Sequence, residues 1–78
     1  MPQVTIYSTP TCHFCKMAKE FFREHNVAYV EHDVLADLAK RQEMVDKSHQ
    51  LGVPVISIGE EVIVGFDQER VSNLLNIH

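Results

Sequence analysis

Val4-Thr5-Ile6-Tyr7-Ser8-Thr9-Pro10-Thr11-Cys12-His13-Phe14-Cys15 is the stretch on which the fold turns. Its first four residues alternate β-branched, apolar and aromatic side chains, the pattern of a strand. Ser8 to Thr11 is turn chemistry that ends at a residue able to cap a helix. Beyond it Phe14, Met17, Ala18, Phe21, Phe22 and His25 recur at the spacing of one face of an amphipathic helix. A strand therefore runs into a helix, and Cys12 opens that helix.

Further along, Asn26 is placed to end the helix, and residues 27–33 offer strand formers again. Asp33 or Asp37 can cap the next element, a stretch of helix formers over residues 36–48. Leu38, Val45 and Met44 are expected to face inward there, with Asp37/Arg41 and Glu43/Lys47 paired along the outside. Gly52 is expected to break this helix. Residues 53–58 and 61–64 then read as two strands of a hairpin turning at Gly59-Glu60. Gly65-Phe66-Asp67 supplies a flexible point and a cap for a last helix bearing Val71, Leu74 and Leu75. The order is βαβαββα. A strand-helix-strand opening implies a right-handed parallel crossover, and the hairpin must join the same sheet. The expected fold is α/β, a four-stranded mixed sheet with helices on both faces.

At 78 residues the chain has room for one domain, read as 1–78, and its 45% apolar content is ordinary for a folded one. The net charge of -4 comes from dispersed Asp and Glu without a basic cluster, which argues against a nucleic-acid partner. No apolar run approaches the roughly 20 residues that span a bilayer, and Met1-Pro2-Gln3 leads straight into a strand without a signal-peptide head. The expectation is a cytoplasmic protein with no membrane association. Two cysteines three apart do not make a secreted disulfide framework, and C-x-x-C beside a strand-helix-strand pattern is the signature of a redox site.

The position of the pair dictates its chemistry. Disulfide exchange requires a thiolate, and a free thiol with a pKa of about 8.5 is only slightly ionised at neutral pH. At the start of a helix the unpaired amide N–H groups and the positive end of the dipole stabilise an anion, so Cys12 is assigned as the attacking sulfur. Cys15, one turn on and within disulfide reach, is assigned as the resolving thiol. His13 is either an imidazolium that supports the Cys12 thiolate or a solvated loop residue. Lys16, ahead of Lys19, adds positive potential or is merely solvated. Two other functions compete. One is metal or iron-sulfur binding, for which His25, His32, His49 and His78 lack the short paired spacing that usually accompanies cysteine ligands. The other is a binding module that keeps an unreactive Cys12.

Taken in order, Cys12-His13-Phe14-Cys15, Val53-Pro54 and Gly65-Phe66-Asp67 resemble the markers of a glutaredoxin, within the thioredoxin superfamily, from Val4 to Leu75. The similarity is greatest to the short glutaredoxin-like proteins of bacteria and archaea. The resemblance implies a thioredoxin-like fold and a dithiol oxidoreductase that reduces protein or glutathione mixed disulfides. It implies a monomer without a tightly bound cofactor, with glutathione as co-substrate and either glutathione or a flavin-dependent disulfide reductase as electron donor. It also implies a substrate groove with His13, Phe14 and Lys16 beside the cysteines and Val53, Pro54, Gly65 and Asp67 facing them. Within it a cis Val53-Pro54 bond would let the Val53 backbone pair with a bound peptide or glutathione. Asp67 would meet an α-amino group, cap the helix, or both. A dimer bridging a cluster occurs among some glutaredoxins. Three positions depart from the common pattern: His13-Phe14 stands where many members have Pro-Tyr, Thr9 where they have Lys, and Val64-Gly65 where they have paired glycines. Gly65-Phe66-Asp67-Gln68 also lacks the aromatic C-terminal motif of the redoxins dedicated to ribonucleotide reductase.

Overall fold

In the computed structural model, which describes residues 2–77, Val4–Ser8 forms β1 and His13–Glu24 forms α1. Met1 and His78, the latter among the histidines weighed as metal ligands, lie outside the described residues. The chain continues through β2 (Val30–Asp33), α2 (Leu38–Ser48), β3 (Val55–Ile58), β4 (Glu61–Val64) and α3 (Gln68–Leu75). The order βαβαββα is the expected one. The four strands make one sheet in the order β2-β1-β3-β4. β1 runs parallel to β2, and antiparallel pairing joins β1 to β3 and β3 to β4.

Alternation along β1 divides the core. Val4 and Ile6 point to one face, where they pack with Ala18, Phe21 and Phe22 of α1 and Val71 and Leu75 of α3. Tyr7 points to the other, where Met44 of α2, Val34 and Val55 enclose it. Helices thus cover both faces of a mixed sheet. β3 is buried at every position, as a central strand between two covered faces must be.

Several boundaries differ from the sequence reading for identifiable reasons. The second strand begins at Val30 rather than at 27, because Asn26 adopts a left-handed φ of 56° and Val27 donates its N–H to the Phe22 carbonyl at 2.8 Å. That bond closes the end of α1, and the Val27 side chain is buried in the core instead of in the sheet. α2 starts at Leu38, since Asp37 accepts the Lys40 N–H as its cap while Asp33 accepts from Leu35 and Ala36 in the preceding turn. Both candidate caps are used. α2 ends at Ser48 on His49, whose left-handed conformation stops the helix before Gly52, the residue expected to break it. Leu38 is exposed, Val45 is half-buried, and only Met44 of the three expected inward residues is fully enclosed. The outer pairs are also different: Lys40 meets Glu43, Gln42 meets Asp46, and Lys47 lies over the Tyr7 ring. The third strand begins at Val55, because Pro54 has no N–H to offer the ladder.

Candidate active site

The pairings Tyr7↔Val55, Ser8↔Asp33 and Val55↔Val64 bring the C-terminal ends of β1, β2 and β4 and the N-terminal end of β3 to one edge of the sheet. α1 and α3 both begin there, through the turns after Ser8 and Val64. Ser8, Val53-Pro54, Gly65 and Asp67 thereby lie at the same end of the sheet as Cys12, although residues 53–67 are far from it in sequence.

Cys12 itself is the N-cap of α1, the role the sequence reading left to Thr11. Its backbone is extended at φ -81° and ψ 113°, and its carbonyl accepts the first helical N–H, from Lys16 at 3.2 Å. Its Sγ accepts the Cys15 N–H at 3.1 Å. The sulfur occupies the place that a Ser or Asp oxygen usually takes at a helix start, and no acidic residue in the first turn opposes a negative charge on it. Cys12 and Cys15 are joined as a disulfide with their Cα atoms 5.2 Å apart. Cys12 is partly exposed and Cys15 is fully buried, so the two sulfurs differ in access.

The residues around the pair fall on two sides. Phe14 is 57% exposed and Met17 is partly so, and the buried stripe of α1 is Cys15, Ala18, Phe21 and Phe22 rather than one running through Phe14. Cys15 is buried as part of that stripe. The exposed His13 ring meets the edge of Phe14 at 5.5 Å. Lys16 is exposed, while Lys19 is held 2.7 Å from Glu31. Across the edge, the Val53-Pro54 peptide is cis, Pro54 is buried, and its carbonyl accepts the Gly65 N–H at 2.8 Å. Gly65 has φ 85°, a conformation that favours glycine. Asp67 caps α3 through the Arg70 N–H.

One network went unread in the sequence. The Ser8 hydroxyl, buried at the end of β1, donates to Glu31 at 2.8 Å, and Lys19 donates to the same carboxylate oxygen. The lysine's hydrogen bond is the main reason the Glu31 carboxyl is held below its usual range. A serine at an inward strand position was the available signal, since a buried hydroxyl needs an acceptor. No three His, Cys, Asp or Glu side chains gather as a metal cluster among the described residues.

The glutaredoxin family model matches residues 4–63. The chain belongs to the glutaredoxin family. It is 43% identical over 92% of its length to an uncharacterized glutaredoxin-like 8.6 kDa protein in the rubredoxin operon of Clostridium pasteurianum, covering 96% of that protein. It is 36% identical to glutaredoxin 3 of Escherichia coli K12 over 86% of this chain and 81% of that one. Among solved structures, a mutant of the thioredoxin-like protein BC3987 superposes with a TM-score of 0.92 at 37% identity, with both chains covered completely. The chain is a glutaredoxin-family thiol redox protein with the thioredoxin-like fold, and Cys12 and Cys15 are its cysteine pair.

Proposed function

We propose that this glutaredoxin-family protein, one domain over residues 1–78, is a dithiol oxidoreductase that reduces protein or glutathione mixed disulfides. The Cys12 thiolate attacks one sulfur of the substrate disulfide, forming a Cys12–substrate bond and releasing the other sulfur as a thiolate that takes up a proton. Cys15 then loses its proton to solvent and attacks the Cys12 sulfur. The substrate's second thiolate departs, and the two electrons it carries away leave Cys12 and Cys15 oxidised to a disulfide. Glutathione or a flavin-dependent disulfide reductase returns the pair to the dithiol. Val53, Pro54, Gly65 and Asp67 receive the substrate backbone on one side, with His13, Phe14 and Lys16 on the other. The protein works as a monomer in the cytoplasm without a tightly bound cofactor.

The observation that carries this reading is the Cys15 N–H directed at the Cys12 sulfur from the first turn of α1. A hydrogen bond to the anionic form and the positive helix end both favour a thiolate there. The test is thiolate absorbance of the reduced protein against pH, with Cys12→Ser and Cys15→Ser alongside. One thiol should titrate well below about 8.5, and that transition should vanish only in Cys12→Ser. Two unshifted thiols would remove Cys12 as an activated nucleophile.

A further inference from the structure

Between α1 and the loop that leads into α3 lies a hollow of about 190 Å³. Its floor is Phe21, whose ring centroid stands 4.4 Å from that of His25 and 5.7 Å from that of Phe66. Met17 closes the end nearer the cysteines, and Glu20 and Glu24, one turn apart on α1, line its side. Phe14 and Met17 leave apolar surface exposed, and Phe14, Met17 and Phe21 fall at i, i+3 and i+7 of one helix face. That surface leads from the redox loop to the hollow. An apolar surface continuous with a functional loop is the kind that marks an interaction site, whereas a single exposed side chain would need no explanation.

Charge decides what fits there. Glu31, Glu43 and Glu61 each hold a lysine or arginine, whereas Glu20 and Glu24 make no ion pair among the described residues, and Lys16, one turn before Glu20, makes none either. Two solvated glutamates alone would need no explanation. Beside three clustered rings they form a different surface, because carboxylates and aromatic ring electrons both attract a cation. The rings and Met17 cover the aliphatic stem that carries such a charge. A lysine or arginine side chain has that form, an apolar stem ending in a cation.

We propose that this aromatic and acidic hollow takes a lysine or arginine side chain of the protein substrate, about four residues from the cysteine that is being reduced. The proposal rests on the thiol-disulfide reading above. A helix rises about 1.5 Å per residue and so places Glu20 and Glu24 about 12 and about 18 Å beyond Cys12, while an extended chain advances about 3.3 Å per residue. A segment held to Cys12 through its own sulfur therefore crosses Phe14 and Met17 and brings its fourth or fifth residue to the hollow. Glutathione extends only one residue to either side of its cysteine and does not reach it.

Two peptides of equal net charge, each carrying a mixed disulfide on its cysteine, provide the test: one with Lys four residues away on each side, the other with the same two lysines next to the cysteine. The first should show a KM lower by about fivefold, the scale of one exposed contact between a cation and an aromatic ring. Glu20→Gln/Glu24→Gln should bring the two peptides nearly level and leave turnover of a glutathione mixed disulfide unchanged. Equal KM values in the unsubstituted protein, a difference that survives in the double variant, or an equal loss for the glutathione mixed disulfide would overturn the proposal. Binding is also read without turnover, by amide chemical shifts of the oxidised protein with the first peptide, at millimolar concentration, bearing Ser in place of its cysteine. Shifts gathered at Met17, Glu20, Phe21, Glu24 and Phe66 support the docking surface even if neither disulfide is reduced, in which case the redox reading alone fails. Shifts elsewhere, or none, overturn it.

Discussion

The Cys15 N–H points at the sulfur of Cys12 across 3.1 Å, which makes the proposed nucleophile the cap of its own helix. Redox chemistry and helix stability therefore share one atom. In the reduced protein, Cys12→Ala should lose about 1 kcal/mol relative to Cys12→Ser, because serine replaces the acceptor and alanine does not. Urea unfolding under reducing conditions measures this, since both variants lack the disulfide. Equal midpoints would mean that the sulfur contributes nothing to holding the first turn.

Gly65 offers a cleaner separation of backbone from packing. A Cβ at this position would meet nothing within 4 Å, so Gly65→Ala introduces no clash. The cost that remains is that of holding a non-glycine residue at φ 85°, on the order of 1 kcal/mol. Thermal or urea unfolding should show that loss. An unchanged stability would indicate that the segment shifts its backbone to suit alanine, and the Gly65 to Pro54 hydrogen bond would then be weakened.

Much of this arrangement was legible in the sequence because it depends on short-range chemistry. The run from Val4 to Cys15 dictated a strand feeding a helix, Gly59-Glu60 dictated a hairpin, and Asp67 dictated a cap, each through residues within a few positions of one another. What escaped was set by the sheet. Leu38 has helical spacing that suits burial, yet α2 turns Met44 to the sheet and leaves Leu38 outside, a choice made by Tyr7 and Val55 from other strands. Phe14 was misplaced for the same reason, since the stripe that includes Cys15 is selected by the surface α1 lies on. The Ser8, Glu31 and Lys19 network joins three elements, and no local pattern announces it.

Glu31 should make that network visible in acid. Lys19 and Ser8 both donate to its carboxylate, and together they hold its pKa below the usual 4.5 against the opposing effect of burial. For a carboxyl depressed in the folded state, the stabilisation is complete above the unfolded value and disappears as pH falls through the folded one. The urea midpoint of the native protein should exceed that of Glu31→Gln at neutral pH, and the gap should close below about pH 5. Added salt should also narrow it, because the ion pair is partly exposed. A gap that widened on acidification would contradict the assignment.

On the opposite face, Tyr7 should set an alkaline limit. Its ring is fully buried, and its hydroxyl donates to the Glu43 carboxylate, which is itself held below its ordinary range chiefly by that bond. Burial first, and then the hydrogen bond to Glu43 and its negative charge, push the Tyr7 hydroxyl well above its usual value of 10.0. An acid whose pKa rises on folding keeps its proton in the native state while the unfolded chain gives it up. Its stabilisation is therefore intact below the unfolded value and lost as pH climbs beyond it. The native protein should weaken steeply above about pH 10, and Tyr7→Phe, which has no proton to lose, should weaken less over the same range. At neutral pH the phenylalanine variant should be less stable by about 1 kcal/mol, the net value of one hydrogen bond. Urea midpoints from neutral to alkaline pH for the two proteins should thus converge as the pH rises. Parallel curves would show that the contact between Tyr7 and Glu43 does not govern the alkaline behaviour of the fold.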